Sequence, residues 1–167
     1  ANSPATVNWP ESRNAWNRLG VGVYGGAVST SQKCDIEVYP TMTLRSSVIA
    51  IRDIAPGEGV GYGQTWVADK PSKIATVGIG YADGYPRHCK NGTPVMVRGK
   101  RAFLAGRVSM DMITIDVTHI DNVAVGDVVE LWGQNVSIQE VATCADTIDY
   151  ELMTRISQRV PRIVKYL

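Results

Sequence analysis

The sequence predicts a mainly β fold, a Greek-key-like β-barrel or sandwich of short strands that ends in two short helices. After Thr41, short apolar runs follow one another between turns rich in Gly, Pro and Asp, a spacing typical of such folds. Ile113, Ile115 and Val117 alternate with polar residues, which marks a half-buried strand. Near the C-terminal end, two segments carry helix-start signals.

The N-terminal part of the chain has a different character. Pro10 beside an acid predicts the start of a helix whose apolar face includes Trp16. The glycine-bearing apolar run at residues 19–25 predicts a buried strand. A helix followed by a buried strand is typical of α/β structure. We therefore expect the boundary with the β-rich part between Gly26 and Pro40.

The rest of the chain is predicted element by element. A slip in the apolar alternation near residues 46–47 predicts a β-bulge in the first strand. Later strands are predicted from short apolar runs at residues 60–66, 74–80, 94–97, 101–108, 113–117 and 128–132. Ser137 and Glu140 form the pattern of a capping box at the start of one helix. Asp149 is predicted to cap the second helix, which must stop before Pro161.

Composition excludes several classes of protein. Hydrophobic residues make up 44% and charged residues 20%, a balance typical of globular chains. Lys and Arg number 17 against 16 Asp and Glu, so no basic excess favours nucleic acid. No apolar run approaches the roughly 20 residues that span a bilayer. Three scattered Cys residues without a C-x-x-C motif favour a reducing compartment and predict neither a disulfide framework nor a metal site.

Tyr62 is the first candidate for chemistry. Glycines flank it at Gly61 and Gly63, which lets the backbone approach a partner closely and leaves the phenol unshielded. A strand tyrosine is more often a core or rim residue, and that alternative stays open. A tyrosine that acts as a base needs a positive group nearby, because a phenol is a weak acid.

Two further candidates lie where predicted strands end. Tyr81 follows an apolar strand and precedes an Asp-Gly turn, although tyrosines that simply pack on such a turn give the same pattern. Met110 and Asp111 connect two strands, where a Met-Asp step is more often packing beside a turn acid. Residue type alone does not decide between these interpretations.

The N-terminal segment offers groups that suit a phosphate. Ser3 has a small hydroxyl, and Gly20 and Val21 present backbone N–H groups after the predicted helix. Hydroxyls and free backbone N–H groups are typical phosphate ligands. The signal is weak in isolation, and Arg18 beside it is by default a surface charge.

Taken in order, these motifs resemble the C-terminal part of the alanine racemases. The matching segments are ANS at residues 1–3, R-x-G-V-x-x-Y-G at 18–25, GYGQTW at 61–66, GYADGYPR at 80–87, VSMDM at 108–112 and YELMTRIS-x-RVPR at 150–162. The resemblance implies a bacterial, cytoplasmic pyridoxal-phosphate enzyme that interconverts L- and D-alanine for the cell wall. It also implies a homodimer whose active site is shared between subunits. Residues 1–30 would be the remnant of a (β/α)₈ barrel, and residues 31–167 the C-terminal β domain.

The resemblance implies roles for the residues of the cofactor and of the proton transfer. Tyr62 matches the base that removes the α-proton of L-alanine, opposite a lysine that forms the Schiff base. Ser3, Gly20 and Val21 match the groups that hold the cofactor phosphate. Arg18 matches the residue that hydrogen-bonds the pyridine nitrogen.

The substrate side is implied in the same way. Tyr81 matches a tyrosine at the substrate entrance, Met110 a backbone N–H contact to the substrate carboxylate, and Asp111 a neighbour in the entrance corridor. Gln158 departs from members that carry a tyrosine there, which leaves a racemase of wider substrate range as an alternative. A stand-alone β module for dimerisation is the other alternative.

The second departure from the family is that no lysine of this chain matches the Schiff-base lysine. The six lysines of the chain lie in no context that matches the Schiff-base lysine, whose place in the family is near the start of the barrel. We expect this polypeptide alone neither to hold the cofactor covalently nor to racemise alanine.

Overall fold

Short strands that alternate buried and exposed residues close into a six-stranded antiparallel barrel. The computed structural model describes residues 1–26, 36 and 38–165. The strands are β1 (Leu44–Ile54), β2 (Gly59–Val60), β3 (Trp66–Val67), β4 (Ser72–Val77), β5 (Pro94–Val97), β6 (Lys100–Leu104), β7 (Ile113–Asp116) and β8 (Val128–Trp132). The helices are α1 (Ser3–Asn8), α2 (Ile138–Cys144) and α3 (Asp149–Arg155). The mainly β prediction with two C-terminal helices is confirmed.

The barrel order is β1-β4-β7-β6-β5-β8, and β8 pairs back with β1. In β7, Ile113 and Ile115 are buried while Thr114 and Asp116 are half-buried, as the alternation predicts. Strand β7 pairs with β4 on one side and with β6 on the other. The connection between β6 and β7 therefore links two neighbouring strands at one end of the barrel.

One hydrophobic core fills the barrel and extends under the C-terminal helices. Tyr85 and Trp132 stack inside it with ring centroids 6.1 Å apart. Val141 of α2 and Leu152 of α3 are fully buried in the same cluster. A second, smaller cluster lies under the β2–β3 hairpin and comprises Ile54, Val60, Ala68, Ile74 and Ala105 with Trp66 packed against it. The hairpin is therefore anchored to the barrel by its own apolar base.

The N-terminal predictions are wrong in two places. The helix begins at Ser3 rather than near Pro10, with the side chain of Asn2 accepting from Ala5 N at 3.0 Å. Residues after Pro10 form only one 3₁₀ turn, and Trp16 is 90% exposed. Residues 19–25 form a 3₁₀ turn at Val21–Tyr24 instead of a buried strand. Among the described residues no strand pairs with this apolar run, and Tyr24 is 55% exposed.

Several element ends also differ from the predictions. The segment 60–66 is interrupted by a 3₁₀ turn at Tyr62–Gln64, because residues 61, 63 and 64 all have positive φ. The segment 101–108 ends as a strand at Leu104. Register shifts flank the predicted bulge, one between Leu44 and Arg45 and one between Val48 and Ala50.

The prediction of a capping box at α2 is wrong for Glu140, and the prediction that Asp149 caps α3 is wrong. Ser137 caps α2 by accepting from Gln139 N, while Glu140 pairs with Arg101 at 2.6 Å and so does not close the capping box. Asp149 is the first residue of α3, and Ile148 holds the cap position. Most of the predicted boundary at residues 26–40 lies outside the described residues. None of the helices in the described ranges has the length and apolar character needed to cross a membrane.

Because the Cys89 thiol is buried, we expect the free energy of unfolding to fall at alkaline pH. Burial is the main cause that raises the pKa of Cys89 from 9.0 to about 11, so its contribution is complete below pH 9 and is lost as the pH rises to about 11. A shift of that size corresponds to roughly 2–3 kcal/mol. Cys89→Val should flatten the unfolding free energy between pH 9 and 10, measured by urea denaturation.

Ile115→Val is the control for this experiment. It truncates the same core without an ionisable group, so it should lower the unfolding free energy equally at every pH. An unchanged alkaline slope in Cys89→Val would contradict the prediction.

Candidate functional site

Tyr62 lies on the 3₁₀ turn that joins β2 to β3. Gly61 and Gly63 on either side have φ of 73° and 70°, a conformation that favours glycine. The Tyr62 side chain is 71% exposed. The turn therefore presents the phenol to its surroundings rather than to the core.

This turn rests directly on the backbone of the β6–β7 connection, residues 105–112. A Cβ atom on Gly106 would lie 2.7 Å from the carbonyl oxygen of Val60, and one on Gly61 would lie 3.1 Å from Arg107 N. The guanidinium of Arg107 lies along Gly63, 3.8 Å from the place where a Cβ would be. A positive group thus accompanies the turn of Tyr62.

Tyr81 begins a second 3₁₀ turn, Tyr81–Asp83, which lies between β4 and β5 and contacts the same β6–β7 connection. Tyr81 N donates to Ser109 O at 3.0 Å and Ala82 N donates to Met110 O at 2.9 Å. A Cβ on Gly80 would overlap both of those carbonyl groups. The Tyr81 turn is therefore joined main chain to main chain with the segment that carries Met110.

Arg159 ties this arrangement together from the C-terminal segment. Its Nε lies 2.8 Å from Asp83 Oδ1, and its second terminal nitrogen lies 2.5 Å from Asp111 Oδ1. The other oxygen of Asp83 accepts from Gly80 N at 2.8 Å. The hydrogen bond to Asp111, and then the charge of Asp83, raise the pKa of Arg159 above its ordinary value. One guanidinium therefore links the two loops of the site.

The structure thus brings four of the predicted residues to one region. Tyr62 and Tyr81 lie on turns that contact residues 105–112, while Met110 and Asp111 belong to that connection. Met110 is 54% exposed, and among the described residues its backbone N–H donates to no acceptor. The region can therefore offer a free N–H, a phenol and a carboxylate to a small molecule.

The residues predicted to bind a phosphate lie on the N-terminal segment, which packs through Val21 against Met153 of α3. Ser3 is buried, and its Oγ accepts from Gly20 N at 2.9 Å and from Gly22 N at 3.2 Å. The Gly20 N–H is thus already bonded to Ser3. The Ser3 hydroxyl proton is left to donate, and the Val21 N–H donates to no acceptor among the described residues.

These two donors fit a phosphate, because anionic oxygens accept strong hydrogen bonds from hydroxyl and backbone N–H groups. Arg18 is exposed nearby, with its own N–H bonded to Ala1 O at 2.7 Å. Nothing fills the space beside Gly20 within 4 Å of where a Cβ would be. The N-terminal segment can therefore accommodate a bound group of this chemistry.

Comparison with known proteins identifies the family. The family model described as alanine racemase, C-terminal domain, matches residues 41–164. This chain belongs to the alanine racemase family. A curated alanine racemase from Alteromonas mediterranea is 87% identical over 167 residues, which are 100% of this chain and 47% of that protein. The resemblance inferred from the motifs is confirmed.

Solved structures of alanine racemases share the fold. The biosynthetic alanine racemase of Pseudomonas aeruginosa superposes with a TM-score of 0.92 at 44% identity, over 99% of this chain and 47% of that one. The alanine racemase of Clostridium difficile in complex with cycloserine gives a TM-score of 0.85 at 36% identity, over 96% and 43%. The chain spans about half the length of the curated relatives it matches.

Asp83, Arg107 and Arg159 are parts of the site that the sequence did not predict. Asp83 and Arg159 both lie inside recognised motifs, so the motifs were a usable signal for them. Their pairing was not predictable, because Arg159 reaches Asp111 across 48 residues of sequence. Gln158, the departure noted in the sequence, is exposed directly beside Arg159.

Arg159→Gln should loosen the Tyr81 turn against the Met110 segment. Loss of the guanidinium leaves the nearly buried Asp83 with the Gly80 N–H and no cation, so local opening becomes easier. We expect the Tyr81 and Ala82 amides to exchange about threefold to tenfold faster in hydrogen–deuterium exchange.

Arg155→Gln is the matched control. It removes an exposed guanidinium that pairs with Glu151 at 3.0 Å within α3 and, among the described residues, forms no ion pair with Asp83 or Asp111. Both amides should exchange at the original rate in this variant. Equal acceleration in the two variants would show that Arg159 has no specific effect on the turn.

Proposed function

We propose that this chain is the C-terminal portion of an alanine racemase and that Tyr62 is the base that removes the α-proton of L-alanine. The observation that carries the proposal is the exposed phenol of Tyr62 on a glycine-bounded turn that rests on the segment of Met110. The names of the relatives support alanine as the substrate. The setting we propose is the bacterial cytoplasm, where D-alanine is made for the cell wall.

Pyridoxal 5′-phosphate is the cofactor we propose, and the N-terminal segment would hold it. The Ser3 hydroxyl and the Val21 N–H would donate to the phosphate, while Gly20 would hold Ser3 in place through its own N–H. Arg18 would donate to the pyridine nitrogen without giving up a proton, because a guanidinium stays charged. When bound, the cofactor withdraws electrons from the α-carbon of the amino acid and so acidifies its proton.

The residues around Tyr62 would orient the substrate. The free Met110 N–H would donate a hydrogen bond to the alanine carboxylate, and Tyr81 and Asp111 would line the entrance. Inversion of the α-carbon requires one group that removes the proton from one face and a second group that returns a proton to the opposite face. Tyr62 would serve one face, and a lysine outside this chain would serve the other. We further propose a homodimer in which Tyr62 faces the cofactor of the partner subunit.

Tyr62→Phe in the whole racemase tests the assignment. Without the phenol, the rate of α-proton exchange of L-alanine into deuterated water should fall by at least about a hundredfold, the lower end of what a general base contributes. Exchange of D-alanine, which uses the other base, should fall far less. Both rates are measurable by mass spectrometry of the recovered alanine.

Tyr150→Phe is the control, since Tyr150 is a partly exposed tyrosine of α3 outside the proposed site. It should leave both exchange rates unchanged. Equal loss of L- and D-alanine exchange in Tyr62→Phe would contradict the two-base assignment.

Ser3→Ala tests the proposed phosphate-binding site separately. Loss of a hydrogen bond to an anion should weaken pyridoxal-phosphate affinity by about tenfold or more. Titration of the apoenzyme with the cofactor, followed by its absorbance, gives the dissociation constant. Ser12→Ala, which removes a hydroxyl bonded to Ala5 O at 2.9 Å, should leave that constant unchanged. Equal affinities in all three proteins would exclude Ser3 from the phosphate site.

A further inference from the structure

We infer that Asn91 is a positioning residue that fixes the turn of Tyr62 from outside the motif that contains it. Its side-chain Nδ2 donates to Thr65 O at 2.7 Å, and its Oδ1 accepts from Gly106 N at 2.8 Å. Thr65 ends the 3₁₀ turn that begins with Tyr62, and Gly106 belongs to the connection on which that turn rests. The inference rests on the proposed role of Tyr62.

Both ends of the turn are anchored to the barrel. At its start, Val60 is fully buried in the small cluster under the hairpin, and its carbonyl lies against Gly106. At its end, Trp66 packs against the same cluster, while Val67 is half exposed. Between these two anchors, Asn91 supplies a side-chain hydrogen bond to the carbonyl of Thr65, the residue that follows the turn.

The turn itself has a reason to relax if that contact is lost. Gln64, between Tyr62 and Thr65, has a φ of 46°. A residue with a side chain is disfavoured in this left-handed conformation, so surrounding contacts must maintain it. The hydrogen bond from Asn91 to the next carbonyl is one such contact.

The chemistry of an amide suits this position. Thr65 presents a carbonyl and Gly106 presents an N–H, so a side chain that bonds both must donate with one atom and accept with the other. The main chain beside Asn91 is itself fixed, because Gly92 N donates to Leu104 O at 2.9 Å and Thr93 N donates to Lys90 O at 3.1 Å. The amide is thus a short link between two fixed parts of the barrel and the turn of Tyr62.

Asn91→Asp in the whole racemase is the direct test. The substitution keeps the size and the acceptor for Gly106 N but places a carboxylate oxygen against Thr65 O. A displaced Tyr62 should lower the α-proton exchange of L-alanine by about tenfold, while D-alanine exchange changes less than about twofold. The KM for alanine should also change less than about twofold, since among the described residues the Asn91 side chain is hydrogen-bonded only to Thr65 and Gly106.

Two further variants complete the design. Asn91→Ala removes both hydrogen bonds without adding a charge and should show the same preference for loss of L-alanine exchange. Gln134→Ala is the matched control, because it removes another exposed amide that donates to a backbone carbonyl, Pro40 O at 3.0 Å, away from the hairpin. It should change neither exchange rate.

The outcomes separate this inference from the proposal on which it rests. Equal loss of both exchange rates in the Asn91 variants, or no loss, would overturn the positioning role. Tyr62→Phe in the same assay decides the role of Tyr62 independently. If Tyr62→Phe removes L-alanine exchange and the Asn91 variants do not, only the inference about Asn91 fails. If Tyr62→Phe leaves that exchange intact, the proposed base is wrong and the inference about Asn91 falls with it.

Discussion

The loops of the candidate site lie backbone against backbone on the connection between β6 and β7, and the geometry of the site depends on this contact. Gly80 and Gly106 leave no room for a side chain at the points where the Tyr81 turn and the Tyr62 hairpin touch this connection. Main-chain atoms are the least mobile part of a residue, so contacts between them fix the loops more closely than side-chain packing would. Even an alanine at either glycine would have to separate the loops.

The barrel fixes the position of that connection. Ala105 N donates to Thr114 O at 2.9 Å, and the Thr114 hydroxyl donates back to Ala105 O at 2.5 Å, so the pairing of β6 with β7 continues beyond the end of β6. Ile113 and Leu104 hold the two strands in the core. Ser109 N donates to Met112 O at 3.0 Å, so Met110 lies inside a tight turn, and this turn sets the direction of its N–H.

The sequence predicts the barrel better than it predicts the loops. The strands at 94–97 and 128–132 occur at the predicted residues because each is a short apolar run between turns. The run at 19–25 is also short and apolar, but it pairs with no strand in the part of the chain that the structure describes, and hydrophobicity alone does not reveal whether a run has a pairing strand. The turn at Tyr62–Gln64 follows from positive φ at three residues, which a strand pattern conceals.

In the candidate site, too, the sequence predicts some residues and not others. Tyr62, Tyr81 and Met110 stand out because glycines or motif spacing surround them. Asn91 lies outside every motif, and the motif that contains Arg159 does not reveal its partner, because their contacts are 26 and 48 residues away in sequence, respectively, and only the fold creates them. A local pattern can identify groups that meet a ligand, but the residues that hold those groups in place depend on tertiary contacts.

The supporting residues also determine how the charges of the region are paired. Asp83 and Asp111 would put two carboxylates beside the proposed entrance, and two unpaired carboxylates there would repel the carboxylate of the proposed substrate, alanine. Arg159 binds both carboxylates, and Arg107 lies along the turn of Tyr62. Arg159 therefore has two effects in this fold, because the contacts that join the loops also pair the two acids with a cation.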